Sequence, residues 1–435
     1  MERILELAKK KGCQEAEVFY RSETASPVEF ENNKLKQVQT TADSGFALRV
    51  LKDGRIGFAT STKEGDYDLL VDNAIAVSLF GNELKHEFPG SAALPTVKNW
   101  DDRISNVSVE QMVEMGRQMV EIIQEYDSQV LGGARAARTE TEVWIINSRG
   151  FDARYRANSF ALAAFAILVE GQNFLTTYDW QQLAKFEVDP VGMARRVVEE
   201  MKIARRNAPI KSGTYPAILT PSGLLDCFGP IGASVDGQAV YKGLSPWKDK
   251  VGQRVAAETI SIYDDGTYDY ATGTRPFDDE GTPSQRTPII QKGVLKNFLF
   301  DRKTAAAMKT SATGNGKRPR LTSPVSISST TVVMEPGDSS FQAMVAGMKE
   351  GVIIDSLMGA WAGNPYSGMV NGNVQLGYKV ENGEIVGRIK DCMFSLNLFE
   401  ALLSGIVAIS QERRFRGESV VPYVMIDAGG ISTKS

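Results

Sequence analysis

The sequence predicts an α+β protein of two domains, and three observations support this: chain length, pattern order and one linker. At 435 residues the chain is too long for one ordinary hydrophobic core. Residues 1–208 alternate between helical and hairpin patterns, which predicts a mixed domain of hairpins and helices. Residues 213–435 are richer in strand patterns and predict a domain with a large, mostly antiparallel sheet. Between them, RRNAPIKSGTYP mixes charge, proline and glycine as linkers do.

The N-terminal domain is predicted from its start, stop and turn signals. MERILELAKKKG is typical of an amphipathic helix that ends at Gly12. Strand patterns follow, and Asp53-Gly54 supplies the tight turn of a hairpin. VSVEQMVEMGRQMVEIIQEY has apolar residues at helical spacing, and Ser108 with Gln111 predicts a capping box at its start. Asp189-Pro190 predicts the first turn of a further helix, which leads to the linker.

The C-terminal domain is predicted in the same way. TYPAILT is a strand pattern, and PSGLLDCFGPIGASVDG is a short apolar segment broken by glycine and proline. SSFQAMVAGMKEG predicts a helix with Ser339 and Gln342 in capping-box spacing. Near the end, alternation on both sides of Asn382-Gly383 is a strong hairpin signal.

Composition and charge exclude several classes of protein. A chain that is 42% hydrophobic and 23% charged has the composition of a soluble globular protein. The formal net charge of −4 leaves no overall basic surface for nucleic acid or anionic membrane. The longest apolar runs are shorter than the roughly 18 residues of a membrane span. Three widely spaced cysteines indicate reduced thiols, so we expect a cytoplasmic protein that binds neither nucleic acid nor membrane.

The chain has one histidine, His86, and this limits its catalytic chemistry. Zinc sites that need two histidines cannot form within the chain. His86 has Glu83 and Glu87 as charged neighbours near the end of a helical pattern, and we expect a solvated surface residue. Cys227 and Cys392 lie among apolar residues and are expected in the core, because the sequence shows no base beside either thiol.

The basic stretch ATGNGKRPR, residues 312–320, allows two interpretations. It lacks the spacing of a phosphate-binding P-loop, so the first interpretation is a mobile surface loop. The second is a loop that holds an anionic group or carboxylate with its backbone N–H groups and with Lys317, Arg318 and Arg320.

Several motifs, taken in order, resemble the TldD/PmbA family, also called the modulator-of-DNA-gyrase family. The most specific is FDDEGTPSQRT at 277–287, followed by a strand pattern and by LFDRKTAAAM. NPYSGMVNGNVQLGYKVENGEIVGRIKD resembles the C-terminal hairpin of the family, and EAEVFYRSE with KDGRIGFATST resembles its N-terminal strands. The resemblance covers nearly the whole chain, and the order of the motifs is more specific than any single one.

The resemblance also implies a branch of the family. In the TldD branch, an HExxxH helix and a C-terminal cysteine bind a catalytic metal. The matching segment here, LLDCFGPIGASV, offers Asp226 and Cys227 where His and Glu would stand, and Ile231 or a neighbour at the second His. No cysteine follows Cys392. The chain therefore resembles the TldE (PmbA) branch, for which we expect no catalytic residue, metal or cofactor of its own.

The FDDEGTPSQRT stretch is present in both branches, so the resemblance implies that it is not primarily the metal site. We expect Asp278, Asp279 and Glu280 to organise a turn whose direction Gly281-Thr282-Pro283 fixes. Gln285 and Arg286 would then offer hydrogen-bond donors to a peptide or a partner. The candidate residues for binding a peptide or partner are Asp278, Asp279, Glu280, Thr282, Gln285, Arg286, Asn315 and Lys317.

Three hypotheses for function remain open at this point. The leading one is a non-catalytic subunit that joins an HExxxH-containing TldD-like chain, helps to form a proteolytic chamber and binds extended peptides, being inactive alone. The second is a homodimeric binding or regulatory protein of the gyrase-modulator type. The third is a metal-independent hydrolase that uses Cys227 or a serine, and it lacks an identifiable base.

Overall fold

The computed structural model describes residues 1–83, 86–171 and 173–433. The strands of the first half form one antiparallel sheet in the order β4-β3-β1-β5-β6-β7, with β2 paired to β1. These strands are β1 (Glu15–Glu31), β2 (Lys34–Val38), β3 (Thr41–Lys52), β4 (Arg55–Ser61), β5 (Leu131–Asn147), β6 (Asp152–Glu170) and β7 (Asn173–Leu183). Asp53 and Gly54 both have positive φ, as the predicted β3–β4 turn requires.

Helices of the first half pack on this sheet: α1 (Glu2–Lys10), α2 (Tyr67–Ser78), α3 (Asp102–Ser105), α4 (Val109–Tyr126) and α5 (Pro190–Ala204). The capping box of Ser108 and Gln111 is present at the start of α4, and Asp189 caps α5 by accepting from the Gly192 N–H. Along β6, buried residues alternate with more exposed ones, because one face of the sheet lies under α4 and α5.

The second half contains a larger sheet in the order β11-β10-β9-β14-β20-β18-β16-β15-β8, with β17 on β16 and β19 on β20. Since β8 also pairs with β20, the strands β8, β15, β16, β18 and β20 close into a ring around an apolar core. Two pairings are parallel, β14 with β20 and β15 with β8. The strands are β8 (Gly213–Leu219), β9 (Ile262–Asp265), β10 (Arg286–Gln291), β11 (Val294–Leu295), β14 (Val332–Met334), β15 (Glu350–Met358), β16 (Met369–Glu381), β17 (Glu384–Arg388), β18 (Cys392–Asn397), β19 (Ile406–Phe415) and β20 (Ser419–Thr433).

A small separate ladder joins β12 (Gly316–Lys317) to β13 (Ser326–Ile327). The helices of this half are short: α6 (Pro221–Asp226), α7 (Gly229–Val235), α8 (Gly237–Tyr241), α9 (Arg302–Met308), α10 (Phe341–Ala346) and α11 (Leu398–Glu400). The expected cap of α10 is wrong by one residue. Ser340, rather than Ser339, accepts from the Ala343 N–H, because Ser339 is held in a bridge to β19.

The α+β prediction, with a strand-rich and mostly antiparallel second half, is confirmed. The two halves share an apolar cluster, in which α4 and α5 pack with α10 and with strands β8, β15 and β16. Within the described residues, no helix is both long and apolar enough to cross a membrane. The linker at 208–213 stays a prediction of the domain boundary.

Candidate functional site

The turn at 277–283 is organised by its first carboxylate. Asp278 Oδ1 accepts from the N–H groups of Glu280 at 2.9 Å and Thr282 at 2.8 Å. Its Oδ2 accepts from the Gly316 N–H at 2.8 Å, which ties the turn to β12. Gly281 has a φ of +73°, a conformation that glycine adopts without strain. The turn predicted for this stretch is therefore present, and its carboxylate satisfies backbone donors as Asx turns do.

The other two acids of the turn point to different partners. Asp279 Oδ2 accepts from the Arg318 N–H at 2.7 Å, and its Oδ1 lies 3.6 Å from Arg275 Nη1. Glu280 Oε2 accepts from the Arg302 N–H at 2.9 Å, at the start of α9. Asp278 and Asp279 thus hold the stretch at 316–318, Glu280 holds the start of α9, and all three carboxylates are buried.

Glu280 also connects the two halves of the chain through Arg49. Arg49 Nη1 donates to Glu280 Oε1 at 2.8 Å, while Nε and Nη2 donate to Glu17 Oε1 at 3.0 and 2.7 Å. Glu17 and Arg49 are direct cross-strand partners on β1 and β3. We call Glu17, Arg49, Arg275, Asp278, Asp279, Glu280 and Arg318 the buried charge cluster. Its members are at most 11% exposed.

The cluster shifts the pKa values of its members in opposite directions. Burial, with the neighbouring Glu280, raises the pKa of Asp278 to about 7. Burial alone would also raise the pKa of Glu280, but the charge and hydrogen bond of Arg49 outweigh it and the pKa is lowered. Burial and the positive charge of Arg49 lower the pKa of Arg318 to about 10. Glu280 is therefore held ionised by a partner that lies 231 positions away in the chain.

The remaining candidate residues divide into buried and exposed ones. Thr282 and Asn315 are buried, and Asn315 Nδ2 donates to Asp264 Oδ2 at 2.7 Å and to the Ser328 carbonyl at 3.0 Å. Lys317 is half-buried and pairs with Glu418 at 2.7 Å. The structure brings together Asp278, Asp279, Glu280, Asn315 and Lys317 around β12, and leaves Gln285 and Arg286 on the surface.

Arg286 is held at the surface by Glu335, Tyr263 and, at 3.8 Å, Asp265. Its Nη2 donates to Glu335 Oε1 at 2.6 Å, and its guanidinium lies 3.9 Å from the centre of the Tyr263 ring. Gln285 beside it is exposed.

The expectation of a mobile surface loop at 312–320 is wrong for its central residues. Asn315 is fully buried and Arg318 is 2% exposed. The glycine-rich stretch is covered because Asp278 and Asp279 bind its backbone N–H groups. Arg320 is exposed and takes no part in this arrangement.

The expectation of a solvated His86 is also wrong. His86 is half-buried beside the buried charge cluster, and burial lowers its pKa to about 4, with Arg49 and Arg302 acting in the same direction. The loop that carries it folds inward, because Arg302 Nη2 donates to the Glu87 carbonyl at 3.1 Å and Phe88 packs under Arg49. The charged residues beside His86 in the sequence predict exposure to solvent, so its burial could not be recognised from the local pattern.

Sequence reasoning missed Glu17 and Arg49 altogether. Each has apolar residues on both sides, Glu17 in AEVF of β1 and Arg49 in FALRVL of β3. A charge at a position flanked by buried residues on a strand is the signal that could have identified them, since a buried charge needs a partner.

The segment that matches the family's metal-binding motif lacks a set of side chains that are free to bind a metal ion. Asp226 Oδ2 accepts from the Leu357 N–H at 2.8 Å. Cys227 is fully buried as predicted, and burial raises the pKa of its thiol, so it is neutral. Ile231 lines an apolar cavity of about 280 Å³ with Phe228 and Val235. A zinc site needs three or four thiolate, imidazole or carboxylate ligands. The Asp226 carboxylate already accepts from a backbone N–H, Cys227 is a buried neutral thiol and Ile231 has no atom that binds a metal, so this segment does not fit a zinc site.

The other side chains that could bind a metal ion also lie apart from one another. Cys392 is buried in the core of the second half, also as predicted. Across residues 1–83, 86–171 and 173–433, no three His, Cys, Asp or Glu side chains group as a metal ion would require.

Two sheets that are joined through the buried DDEGTP turn make this an α+β protein. Most of the sequence matches models of one family of metallopeptidase domains. These are the PmbA/TldA metallopeptidase domain 1 at 16–78, central domain at 102–205 and C-terminal domain at 212–433. The chain belongs to this family, the PmbA/TldD family.

Individual relatives match the chain from end to end. An uncharacterized protein of Methanocaldococcus jannaschii is 27% identical over 433 residues, 98% of each chain. TldE from Thermococcus kodakarensis has the same fold, with a TM-score of 0.93 at 22% identity over 99% of both chains. A candidate modulator of a DNA gyrase from Thermotoga maritima gives a TM-score of 0.91 at 25% identity, again over 99% of both chains.

Proposed function

We propose that this chain is a non-catalytic, TldE-like cytoplasmic subunit of a metallopeptidase complex, in which a related HExxxH-containing chain supplies the metal. The observation that carries the proposal is the segment 224–235, in a chain that belongs to a metallopeptidase family. Its carboxylate is engaged with Leu357, its thiol is buried and neutral, and its third position is apolar. Three free cysteines agree with a reducing compartment.

The partner surface that we propose is the outer face of the C-terminal sheet. Cross-strand pairing places Met358, Asn373, Met393 and Ser432 in one row. Asn371, Ser395 and Gly430 form the next row, and Met369 faces Asn397 beyond it. These rows contain no charged side chain, and the three methionines are 45–60% exposed. An uncharged surface rich in methionine is typical of the central part of a protein interface.

A second surface would hold extended peptide. The outer side of β11 is already paired with residues 252–255, and within β10 only Ile290 and Gln291 pair with β11. An extended chain can bind along a sheet edge through main-chain hydrogen bonds, with little dependence on side chains. We place the peptide beside the first residues of β10, where the exposed side chains of Gln285 and Arg286 would add hydrogen-bond donors.

The test is a mixing experiment with a purified HExxxH-containing relative. We expect the two chains to elute together in gel filtration at micromolar concentration, and Met393→Glu to prevent this by placing a charge in the uncharged row. Phe80→Glu is the matched control, since Phe80 is 90% exposed in the first half and should leave the complex intact. Separate elution of the wild-type chains would reject the proposal.

A homodimeric regulatory protein is the second candidate. The full-length likeness to a candidate modulator of a DNA gyrase favours it. In this case the same uncharged face would pair with a second copy of the chain. Light scattering should then show that the chain alone is a dimer, and that adding the HExxxH relative does not change its mass. This result would favour the second function over the first.

A further inference from the structure

A cavity of about 170 Å³ lies between the N-terminal sheet and the buried charge cluster. Phe19, Val143, Tyr155 and Ala157 of strands β1, β5 and β6 form one wall. The loop at 272–275, β12 and Glu418 form the other. The volume is well above what a single water needs, so a small solute fits.

The walls carry two arginines whose hydrogen-bonding capacity is unmet. Arg275 is 8% exposed and Arg318 is 2% exposed. In the part of the chain that the structure describes, the Nε and Nη2 groups of both have no hydrogen-bond partner. A buried guanidinium donor without an acceptor is unfavourable, and it indicates a missing acceptor.

The charged side chains on the walls indicate which charge the missing acceptor should carry. Lys317 is neutralised by Glu418, and Arg21 by Glu23. Arg275 and Arg318 are left to share Asp279, whose Oδ1 is 3.6 Å from Arg275 Nη1. Glu17 is 3.8 Å from Arg318, but it already accepts from Arg49. Over the whole buried charge cluster, the three arginines are matched by Glu17, Asp279 and Glu280. A ligand would therefore be bound by the unmet guanidinium donors rather than by an excess of positive charge, which favours a monoanion over a dianion such as phosphate.

We propose that this cavity binds a carboxylate, with Arg275 and Arg318 as its ligands. A planar guanidinium matches the two oxygens of a carboxylate, and Tyr155 adds a phenol whose pKa is raised by burial, so it stays a neutral donor. The carboxylate belongs either to the C-terminus of a peptide or to a free small acid. The proposal concerns the chain alone and does not require the partner subunit.

The experiment is calorimetric titration of the full chain with N-acetylglycine, its neutral amide, inorganic phosphate and a tripeptide with a free C-terminus. We expect N-acetylglycine to bind at least about tenfold more tightly than the amide, because a charge-assisted pair is lost. Tighter binding of the tripeptide than of N-acetylglycine would assign the site to peptide C-termini. Equal binding of the two would assign it to small acids. Phosphate binding more tightly than N-acetylglycine, or equal binding of acid and amide, would overturn the proposal.

Two pairs of variants locate the site. Arg275→Gln should weaken the binding of N-acetylglycine at least about tenfold, whereas Arg117→Gln, on the exposed side of α4, should not. Ala157→Leu fills the cavity without touching either arginine, and Ala161→Leu is its control on the same face of β6. If circular dichroism shows that Arg275→Gln does not fold, the comparison of Ala157→Leu with Ala161→Leu tests the site instead. Unchanged affinity in Ala157→Leu would place the binding elsewhere and contradict the proposal.

Discussion

The junction around Arg49 and the junction around Glu200 both bury carboxylates between the two halves of the chain, and they differ in how those carboxylates are neutralised. At the first, Arg49 binds Glu17 and Glu280 directly, and the pKa of Glu280 is lowered. At the second, burial raises the pKa of Glu200 well above its usual range and that of Asp355 to about 6. Of Glu280, Glu200 and Asp355, only Glu280 accepts a hydrogen bond directly from an arginine, and it alone has a lowered pKa.

The contacts of the second junction explain its behaviour. Arg416 lies nearby but donates to Asp179 Oδ1 at 3.0 Å, and Arg196 donates to Asp179 Oδ2 at 2.8 Å. Asp355 accepts from the Thr220 hydroxyl at 2.9 Å, and Glu200 Oε2 has no hydrogen-bond partner among the described residues. The charged or titratable groups around Glu200 are Asp179, Asp355, Tyr378, Arg414 and Arg416.

Removing the arginine of the first junction should have the largest effect. Arg49→Ala leaves Glu17 and Glu280 buried without their shared partner, and we expect a loss of about 3–5 kcal/mol in the free energy of unfolding. Urea denaturation measures it. Arg286→Ala is the control, since an arginine with a 49% exposed side chain should cost no more than about 1 kcal/mol. Equal effects of the two variants would remove the distinction between paired and surface charges.

The second junction should respond to pH, with a smaller effect. A carboxyl whose pKa is raised on folding binds its proton more tightly in the folded state, so its contribution to stability is present at low pH and is lost as pH rises. Glu200→Gln should therefore reduce the loss of stability between pH 5 and pH 8. Urea denaturation at both values checks this against Glu199→Gln, an exposed neighbour on α5. A wild-type chain that gains stability over this range, with no change in Glu200→Gln, would contradict the assignment.

The smallest effect concerns α10, which packs its Met344 and Val345 into the apolar cluster that the two halves share. Ser340→Ala should cost about 1 kcal/mol, because the side chain caps the helix by accepting from the Ala343 N–H. Ser339→Ala should cost less, since Ser339 contributes through its backbone bridge to β19. The melting temperatures of the two variants distinguish Ser340 from Ser339 as the cap of α10. A larger decrease in Ser339→Ala would contradict this assignment and support the cap predicted from the sequence.

The two junctions also show what could be predicted from the sequence. Local signals were enough for the Asp53-Gly54 turn, the Ser108 capping box and the turn organised by Asp278, because each depends on residues a few positions apart. The pairing of Arg49 with Glu280 spans 231 positions, and the burial of His86 depends on Arg302, 216 positions further along the chain. Such contacts depend on how the two sheets meet, which no local pattern encodes.

The function that we propose makes this chain dependent on a partner for metal and catalysis. The most direct measurement is zinc content and peptide cleavage of the purified chain, of the HExxxH relative and of their mixture, with and without chelator. We expect well under one equivalent of zinc and no cleavage for the chain alone, and chelator-sensitive cleavage by the mixture. Stoichiometric zinc in the chain alone, with cleavage that chelator abolishes and zinc restores, would contradict the account.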